Sequence, residues 1–357
     1  MEGAFRELIG RMVAEVNRGP AIYRPSEFWV RLNDLHEAQL TDAGFEAFKR
    51  TVNQSYYNWL LGLRDPQVRS LARWLARHPR PRILTARLRD WTGFESQSRV
   101  NPFKDVRRRW LYQLAVASLW EFARGRDHIR LLDDLEEPTL GRPVVVRYRG
   151  KDISQDLGNS TLEFYAIAEA LGREDPGPNG VLELGAGYGR LAWLYLAAFP
   201  RLRYLIVDIP PALALSQEYL TRLFPDTPTF RFRHFDTYAE VGPELESAQL
   251  GFLTPNQLEL LPPQRVAAFV NISSLHEMRP DQIEAYVELV DRHTEGIFYT
   301  KQWRTWTNPA DGVTLSQADY PVLPGWVQRF ERPHPVHSLL FEAAFSVNEV
   351  RAGDRAG

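Results

Sequence analysis

The stretch that decides the fold runs from residue 180 to residue 194 and is Gly-Val-Leu-Glu-Leu-Gly-Ala-Gly-Tyr-Gly-Arg-Leu-Ala-Trp-Leu. A short apolar run ends at three alternating glycines, Gly185, Gly187 and Gly189, and apolar residues at helical spacing follow. This pattern predicts a strand, a tight turn and a helix. Glycine suits such a turn because it adopts positive φ at little cost and lets a ligand approach the backbone. The N-terminus of the helix favours a carboxylate or phosphate there.

The spacing of the glycines limits the kind of ligand. A dinucleotide-binding turn, G-x-G-x-x-G, would have its third glycine where this chain has Arg190, so the sequence does not support binding of a pyrophosphate. A second apolar run, residues 204–207, ends in Asp208. An acid at the tip of the second strand is well placed to hold both hydroxyls of a ribose. We therefore predict a nucleoside-bearing ligand at this turn; the alternative is a βαβ unit of the same form without a ligand.

Composition indicates an ordinary soluble enzyme. The 357 residues are 44% hydrophobic and 25% charged, and the chain is long enough for two domains. A net charge of −2 gives no general attraction to nucleic acid or to an anionic membrane. The absence of cysteine excludes disulfides, thiolate metal sites and a cysteine nucleophile. No apolar run approaches the roughly 20 residues of a membrane span. We expect a cytoplasmic protein that binds neither nucleic acid nor membrane.

The two halves of the chain differ in periodicity. Residues 1–125 have apolar residues mostly at helical spacing, which predicts helices beginning near Phe5, after Pro25-Ser26, at Phe45 (ending at Leu61), at Gln67 and at Val106. From residue 180 onward strands alternate with helices, which is typical of a mostly parallel sheet. The predicted fold is α/β. An all-helical domain over residues 1–142, acting as a lid or in substrate binding or oligomerisation, precedes a Rossmann-like sheet with helices on both faces over residues 143–357.

Two arginine clusters lie in the helical half. They comprise Arg73, Arg77, Arg80, Arg82, Arg87 and Arg89, and then Arg107, Arg108 and Arg109. Few aromatic residues lie between them, which disfavours nucleic-acid binding. We interpret the clusters as solvated helix faces or as contacts between subunits of a homo-oligomer. The alternative is that arginines bind an acidic sugar or a phosphate-bearing carrier.

Several motifs together resemble a known family. Glu183-x-Gly185-x-Gly187-x-Gly189 resembles the first motif of the class I S-adenosylmethionine (SAM) methyltransferases. Over about residues 130–350 the chain resembles a bacterial family of sugar O-methyltransferases, on the motifs Gly150–Asp156 with Asn159-Ser160, Leu182–Arg190, Asp208–Pro211, and Asn271 with Ser274 and Glu277-Met278. The resemblance implies SAM as cofactor, S-adenosylhomocysteine (SAH) as its product, and a small-molecule acceptor that is a sugar or glycoside.

The resemblance also implies which residues hold SAM. They are Gln155, Asn159, Ser160, Glu183, Gly185, Ala186, Gly187, Asp208, Ile209, Asp236 and Asn271. Gln155, Asn159 and Ser160 begin the helix that closes over the methionine end in this architecture; the alternative is that they cap that helix. Asp236 follows a strand predicted at residues 230–233 and is expected to contact the adenine amine; the alternative is a polar strand end.

Catalysis of O-methylation requires positioning of the acceptor and removal of its hydroxyl proton. The strand predicted at residues 266–270 leads to His276 and Glu277, at the edge of an open α/β sheet where ligands bind. Histidine is the usual base because its pKa in solution lies near neutrality. We expect His276 and Glu277 to be catalytic. The alternative is that Glu277 caps a helix or binds an arginine, while His276 lines the pocket.

The acceptor is expected to contact the segment after the next strand. Trp303, Trp306 and Tyr320 offer rings and polar donors that suit the apolar face and hydroxyl edge of a sugar. His334 and His337 are expected to line this site as second-choice bases. No cluster of acids lies near residues 266–270, and we expect no metal. Two other functions remain open: methylation of a non-sugar natural product, and a non-catalytic partner protein with the SAM-binding fold.

Overall fold

The computed structural model describes residues 2–52, 65–92 and 102–347. Its α-helices are α1 (Glu2–Arg18), α2 (Glu27–Ala43), α3 (Pro66–Arg77), α4 (Val106–Arg124), α5 (Leu131–Asp134), α6 (Gln155–Leu171), α7 (Arg190–Ala198), α8 (Ala212–Leu223), α9 (Gly242–Ser247), α10 (Pro255–Leu260) and α11 (Pro280–His293). Its strands are β1 (Arg87–Leu88), β2 (Val146–Tyr148), β3 (Lys151–Ile153), β4 (Val181–Leu184), β5 (Tyr204–Val207), β6 (Thr229–Phe230), β7 (Leu250–Leu253), β8 (Val266–Ile272), β9 (Thr294–Trp303), β10 (Thr305–Thr307), β11 (Thr314–Ser316), β12 (Val327–Pro333) and β13 (Leu340–Ser346).

The chain divides into two units, which we name the sheet unit and the helical unit. The sheet unit comprises Met1–Asp34, Ala166–His334 and Leu339–Gly357; the helical unit comprises Leu35–Tyr165 and Pro335–Ser338. This division differs from the boundary predicted between residues 142 and 143, because the first 34 residues group with the sheet. No helix within the described ranges is long and apolar enough to cross a membrane.

An eight-stranded sheet forms the centre of the sheet unit, in the order β12-β13-β9-β8-β4-β5-β7-β6. The pairs from β9 to β6 are parallel, whereas β13 and β12 are antiparallel. Every residue of β4, β5, β7 and β8 is buried, as expected for parallel strands covered on both faces. The predicted α/β, Rossmann-like fold class is confirmed. Because β5, β4, β8 and β9 run in parallel, their carboxyl ends meet at one edge of the sheet.

The N-terminal helix α1, predicted from the spacing after Phe5, packs within the sheet unit through a buried apolar face, which includes Met12 and Val16, and through one buried carboxylate. Glu15 is 3% exposed and accepts hydrogen bonds from Asn256 Nδ2 at 3.0 Å and from the His234 ring at 2.6 Å. A buried carboxylate requires such partners, because an unpaired one would lose its solvation. These contacts explain why a segment predicted to belong to the helical half belongs to the sheet unit instead.

The helical unit is not all-helical. A small antiparallel sheet joins β1, β2 and β3, so the all-helical prediction for residues 1–142 is wrong at β1. The helix predicted from Phe45 to Leu61 is a 3-10 helix over Phe45–Arg50, and residues 53–61 lie outside the described ranges. Buried Lys49 pairs with Glu137 at 2.5 Å, and Ser154 donates to the same carboxylate.

Candidate functional site

Three glycines of the turn after β4 have positive φ, at 76° for Gly185, 61° for Gly187 and 84° for Gly189. A Cβ on Gly185 would lie 2.4 Å from Ser274 Oγ, and a Cβ on Gly189 would lie 2.8 Å from Leu220 Cδ1. A Cβ on Gly187 would meet nothing within 4 Å. Two of the glycines are therefore required by packing, while the third faces open space. That space is where a ligand can lie against the backbone.

Asp208, directly after β5, borders this open space. Its Oδ2 accepts from Gly187 N at 2.9 Å, and its Oδ1 accepts from Ile209 N at 2.8 Å. The carboxylate is 7% exposed. Burial raises the pKa of Asp208 to about 7 despite these two amide donors, and Glu183 and Glu277 add to the rise. Glu277, the predicted catalytic acid, therefore lies within electrostatic range of Asp208.

Two other predicted cofactor residues lie around the same turn. Glu183, in β4, is 3% exposed and accepts from the Tyr204 hydroxyl at 2.7 Å, which ties β4 to its neighbour β5. Ala186 is 8% exposed, inside the glycine turn. Contacts of either residue with a cofactor remain predictions.

The strand beside β5 is not the one predicted from the sequence. The strand predicted at residues 230–233 is only Thr229–Phe230, and it forms the edge of the sheet as β6. β7, which the sequence analysis missed, lies between β6 and β5. Asp236 therefore follows an edge strand; its side chain is 83% exposed and lies 3.4 Å from His234 Nε2. Its contact with adenine remains a prediction, now without the strand placement that motivated it.

Asn271, in β8, has its side-chain amide occupied by protein groups. Its Nδ2 donates to the Leu184 carbonyl at 2.9 Å and to Ser274 Oγ at 2.6 Å. Its Oδ1 accepts from Leu275 N at 3.3 Å and from Gln302 Nε2 at 2.6 Å. The residue has no exposed surface. In this structure Asn271 therefore joins the ends of β4, β8 and β9, and its predicted contact with a cofactor has no geometric support.

His276 and Glu277 lie in a 3-10 turn, Leu275–Glu277, shortly after the carboxyl end of β8. The His276 ring is 2% exposed, and its Nδ1 lies 3.0 Å from Gln302 Oε1. Its Nε2 lies 3.5 Å from Glu277 Oε1. The structure thus brings the two predicted catalytic residues together, with one nitrogen of the imidazole facing the carboxylate.

Aromatic rings surround this pair. The Trp306 ring lies edge-on to His276 with centroids 5.1 Å apart, and the Trp303 ring lies 5.6 Å from Trp306. Within the described ranges, Trp306 Nε1 and the Tyr320 hydroxyl are buried without a hydrogen-bond partner. Burial raises the pKa of Tyr320, and Asp319 and Glu277 contribute. Two predicted acceptor residues therefore present unsatisfied polar atoms.

The N-terminal segment adds residues that sequence analysis missed. Ser26 Oγ donates to the Glu277 carbonyl at 2.9 Å. The Phe28 ring lies 6.4 Å from the Trp306 ring, in an edge-on arrangement. Gln282 donates to the carbonyls of Ile22 and Arg24, which holds the segment in place. No motif marks these residues, because their contacts lie about 250 to 280 positions away along the chain.

The remaining predicted site residues are distributed over both units. His334 is 4% exposed at the end of the sheet unit's second segment, and His337 belongs to the helical unit. Gln155, Asn159 and Ser160 begin α6 in the helical unit and are 5%, 1% and 1% exposed. Ser154, rather than any of these three, caps α6 by accepting from Leu157 N at 3.0 Å. Within the described ranges neither polar atom of the Asn159 amide has a hydrogen-bond partner.

No group of three histidine, aspartate or glutamate side chains is arranged to hold a metal in the part of the chain that the structure describes. The acidic groups at the site, Asp208 and Glu277, are occupied by amide donors and by His276 as described above.

Comparison with known proteins gives structural matches only. No protein-family model and no curated protein matches the chain. Similar solved structures include the mitomycin 7-O-methyltransferase MmcR (15% identity, 54% of this chain and 56% of that chain, TM-score 0.34). They also include the magnesium protoporphyrin IX methyltransferase of Synechocystis PCC 6803 with bound SAM (9%, 54% and 82%, 0.37) and the CcbJ methyltransferase of Streptomyces caelestis (12%, 54% and 96%, 0.35). The match spans less than two thirds of the MmcR chain.

Proposed function

We propose that this chain is a SAM-dependent O-methyltransferase that methylates a hydroxyl of a sugar or of a glycosylated natural product. One observation supports it most strongly. Two groups of residues follow neighbouring parallel strands of one sheet. The first is the open glycine turn after β4 with the buried Asp208 after β5, and the second is the His276–Glu277 pair after β8 with its indole rings. This juxtaposition gives a nucleoside site and a proton acceptor at the edge where α/β sheets bind ligands.

The residues at the turn fit SAM. The space above Gly187 leaves room for the ligand to lie on the backbone. Each oxygen of Asp208 accepts one amide hydrogen bond and has a further lone pair for a ribose hydroxyl. SAM, when bound, supplies an electrophilic methyl group on a sulfonium.

The catalytic work of the chain is then proton removal and exclusion of water. His276 Nε2 takes the proton of the acceptor hydroxyl, and the Glu277 carboxylate at 3.5 Å stabilises the imidazolium that forms. His276 is 2% exposed and Trp306 packs edge-on against its ring, so the proposed mechanism requires a side chain at the site, such as this indole, to turn aside when the acceptor reaches Nε2. The indole rings keep bulk water from the reacting groups, which strengthens electrostatic interactions there.

The surroundings of the base favour a carbohydrate acceptor. The Trp303 and Trp306 rings lie 5.6 Å apart, and the proposed acceptor packs the C–H face of its sugar against one of these indoles. Trp306 Nε1 and the Tyr320 hydroxyl lack partners within the described ranges, and hydroxyl groups of an acceptor would satisfy them. A ligand with both an apolar face and several hydroxyls meets both conditions.

An acceptor screen tests this function. SAM is incubated with the protein and with sugar nucleotides, glycosides or non-sugar phenols, and SAH formation is measured. We expect turnover with members of the first two classes. Turnover only with non-sugar phenols would show that the acceptor is a non-sugar natural product and not a sugar. SAM binding without turnover on any acceptor would favour a non-catalytic partner protein.

Binding of SAH is expected to depend on pH through Asp208. Its pKa of about 7 in the free protein means that the carboxyl is protonated below that pH. Holding a ribose diol requires the carboxylate, so binding releases a proton, and the affinity should fall by up to about tenfold for each pH unit below the pKa. Calorimetric titration between pH 8 and pH 5 measures this. Asp208→Asn should bind more weakly and lose the dependence; a pH-independent affinity in the unaltered protein would contradict the assignment.

Loss of the Phe28 ring is expected to weaken acceptor binding. Phe28 supports Trp306 in an edge-on contact, and such aromatic pairs contribute about 0.5–1.5 kcal/mol. Phe28→Ala should therefore raise the KM for the acceptor by roughly 2- to 10-fold and leave the SAH affinity unchanged. Val30→Ala is the matched control, since Val30 lies in the same helix and is 50% exposed. An unchanged KM for Phe28→Ala would remove Phe28 from the acceptor site.

A further inference from the structure

A chain of buried hydrogen bonds links the end of β4 to the imidazole of His276. It runs from the Leu184 carbonyl through Asn271 and Gln302 to His276 Nδ1. We propose that Asn271 and Gln302 are positioning residues that hold the neutral His276 ring in one tautomer, with hydrogen on Nδ1 and a free lone pair on Nε2. The proposed consequence for catalysis depends on the function proposed above; the tautomer itself does not.

The orientation of the Asn271 amide is set by the backbone. A backbone carbonyl only accepts and a backbone N–H only donates, so two such groups beside Asn271 decide which end of its side-chain amide is oxygen and which is nitrogen. Nδ2 faces the Leu184 carbonyl at 2.9 Å, and Oδ1 faces Leu275 N at 3.3 Å. Exchanging the two atoms would place an acceptor against an acceptor and a donor against a donor. Asn271 therefore presents its oxygen to Gln302.

The orientation of the Gln302 amide follows from that of Asn271. The atom facing Asn271 Oδ1 at 2.6 Å must be a donor, which makes it Nε2. The same nitrogen also donates to Thr300 Oγ1 at 3.0 Å. The other end of the Gln302 amide is then Oε1, which can only accept. It lies 3.0 Å from His276 Nδ1.

The tautomer of His276 is the last step. Because Gln302 Oε1 accepts, Nδ1 must carry the hydrogen. In the neutral ring Nε2 then has the lone pair, and this nitrogen faces the Glu277 side of the site. The side chains of Asn271, Gln302 and His276 are all buried, so water does not compete for these hydrogen bonds. The opposite tautomer would put two lone pairs against each other across 3.0 Å at Nδ1. In the proposed tautomer the Nε2 lone pair is 3.5 Å from Glu277 Oε1, and the repulsion over this longer separation is weaker.

The chemical consequence concerns proton transfer. The acceptor O–H bond breaks, its proton goes to His276 Nε2, and the oxygen electron pair forms the new bond to the methyl carbon as the carbon–sulfur bond breaks. The resulting imidazolium donates from Nδ1 to Gln302 and from Nε2 toward Glu277. The opposite tautomer already has a hydrogen on Nε2 and cannot take this proton. Gln302 thus acts on the reaction only through His276.

Nitrogen-15 NMR of the full-length protein labelled in histidine tests the tautomer without SAM or acceptor. The His276 signals are identified by their loss in His276→Gln and are followed at a pH where the ring is neutral. We expect a protonated Nδ1 and an unprotonated Nε2, with the other tautomer at least about tenfold less populated. Unprotonated Nδ1 in the unaltered protein would overturn the proposal.

Three variants separate positioning from general structure. Gln302→Met removes both amide atoms and should shift the tautomer population and lower kcat by roughly tenfold, with the KM for the acceptor unchanged. Thr300→Val is the matched control, since it removes the other Gln302 partner in β9 and should leave the tautomer as it is. Gln302→Glu keeps an oxygen that accepts from Nδ1 and should retain the hydrogen on that nitrogen.

The outcomes distinguish this inference from the proposed function. If Gln302→Met folds and its His276 signals match those of the unaltered protein, Gln302 does not set the tautomer and the inference fails. If the tautomer changes as expected but kcat does not, Gln302 positions the ring while His276 is not the base; the proposed mechanism then fails.

Discussion

The Gly187→Asp variant is expected to lose SAH affinity by about 100-fold or more, which corresponds to roughly 3 kcal/mol. The new side chain would occupy the space that is open above the backbone of residue 187. Its carboxylate would also lie beside Asp208, whose Oδ2 is 2.9 Å from the amide of that residue. The two carboxylates would repel each other, and the new side chain would fill the space that the ligand needs. Calorimetric titration with SAH measures the loss.

The control for this variant must account for backbone strain. Gly187 has φ of 61°, where a side chain costs about 1 kcal/mol even in open space. Gly172 has φ of 70°, and a Cβ there would also meet nothing within 4 Å, but this glycine directly follows α6, whereas Gly187 lies in the turn between β4 and α7. Gly172→Asp should show a similar loss of thermal stability and full SAH affinity. Equal SAH affinity in both variants would remove the turn from the binding site.

The His276→Gln variant is expected to lower kcat by about 10²- to 10⁴-fold. Glutamine keeps a polar side chain but has no basic nitrogen, so the acceptor hydroxyl retains its proton. The SAH affinity should not change, because His276 contacts Gln302, Glu277 and the indole rings rather than the glycine turn. Steady-state kinetics with the acceptor found by screening, together with SAH titration, measure both quantities.

His293→Gln is the matched control for the loss of a buried histidine. His293 is fully buried at the end of α11, directly before β9 begins, and burial lowers its pKa to about 4. Its replacement should reduce stability without lowering kcat. If His276→Gln retains the kcat of the unaltered protein, His276 is a wall of the pocket and another group removes the proton.

Local sequence was sufficient for the glycine turn but not for all strands. Gly185, Gly187 and Gly189 have the positive φ that their alternation predicts, because no other residue adopts it so readily. β7 was missed because Gly251 interrupts its short apolar run. The interruption has a packing reason, since a Cβ on Gly251 would lie 2.6 Å from Leu205 Cδ2. Such a reason is visible only once β5 and β7 are paired.

Local sequence also predicts only part of the candidate site. His276 and Glu277 are neighbours in the sequence, and their side chains are also neighbours in the structure, 3.5 Å apart. Gln302 lies in another strand, and its contact with His276 depends on the register in which Asn271 of β8 pairs with Thr300 of β9. Ser26 and Phe28 reach the site through long-range packing. Periodicity contains no information on such contacts, because they depend on how distant segments meet.

Native mass spectrometry of the purified protein, before and after addition of SAM, tests the central claim most directly. The open turn at Gly187 and the buried carboxylate of Asp208 predict one molecule of SAM or SAH for each chain. The bound mass should be absent from Gly187→Asp and present in Gly172→Asp. If the unaltered protein binds neither compound even at high concentration, the turn is not a SAM site and the proposed methyl transfer is contradicted.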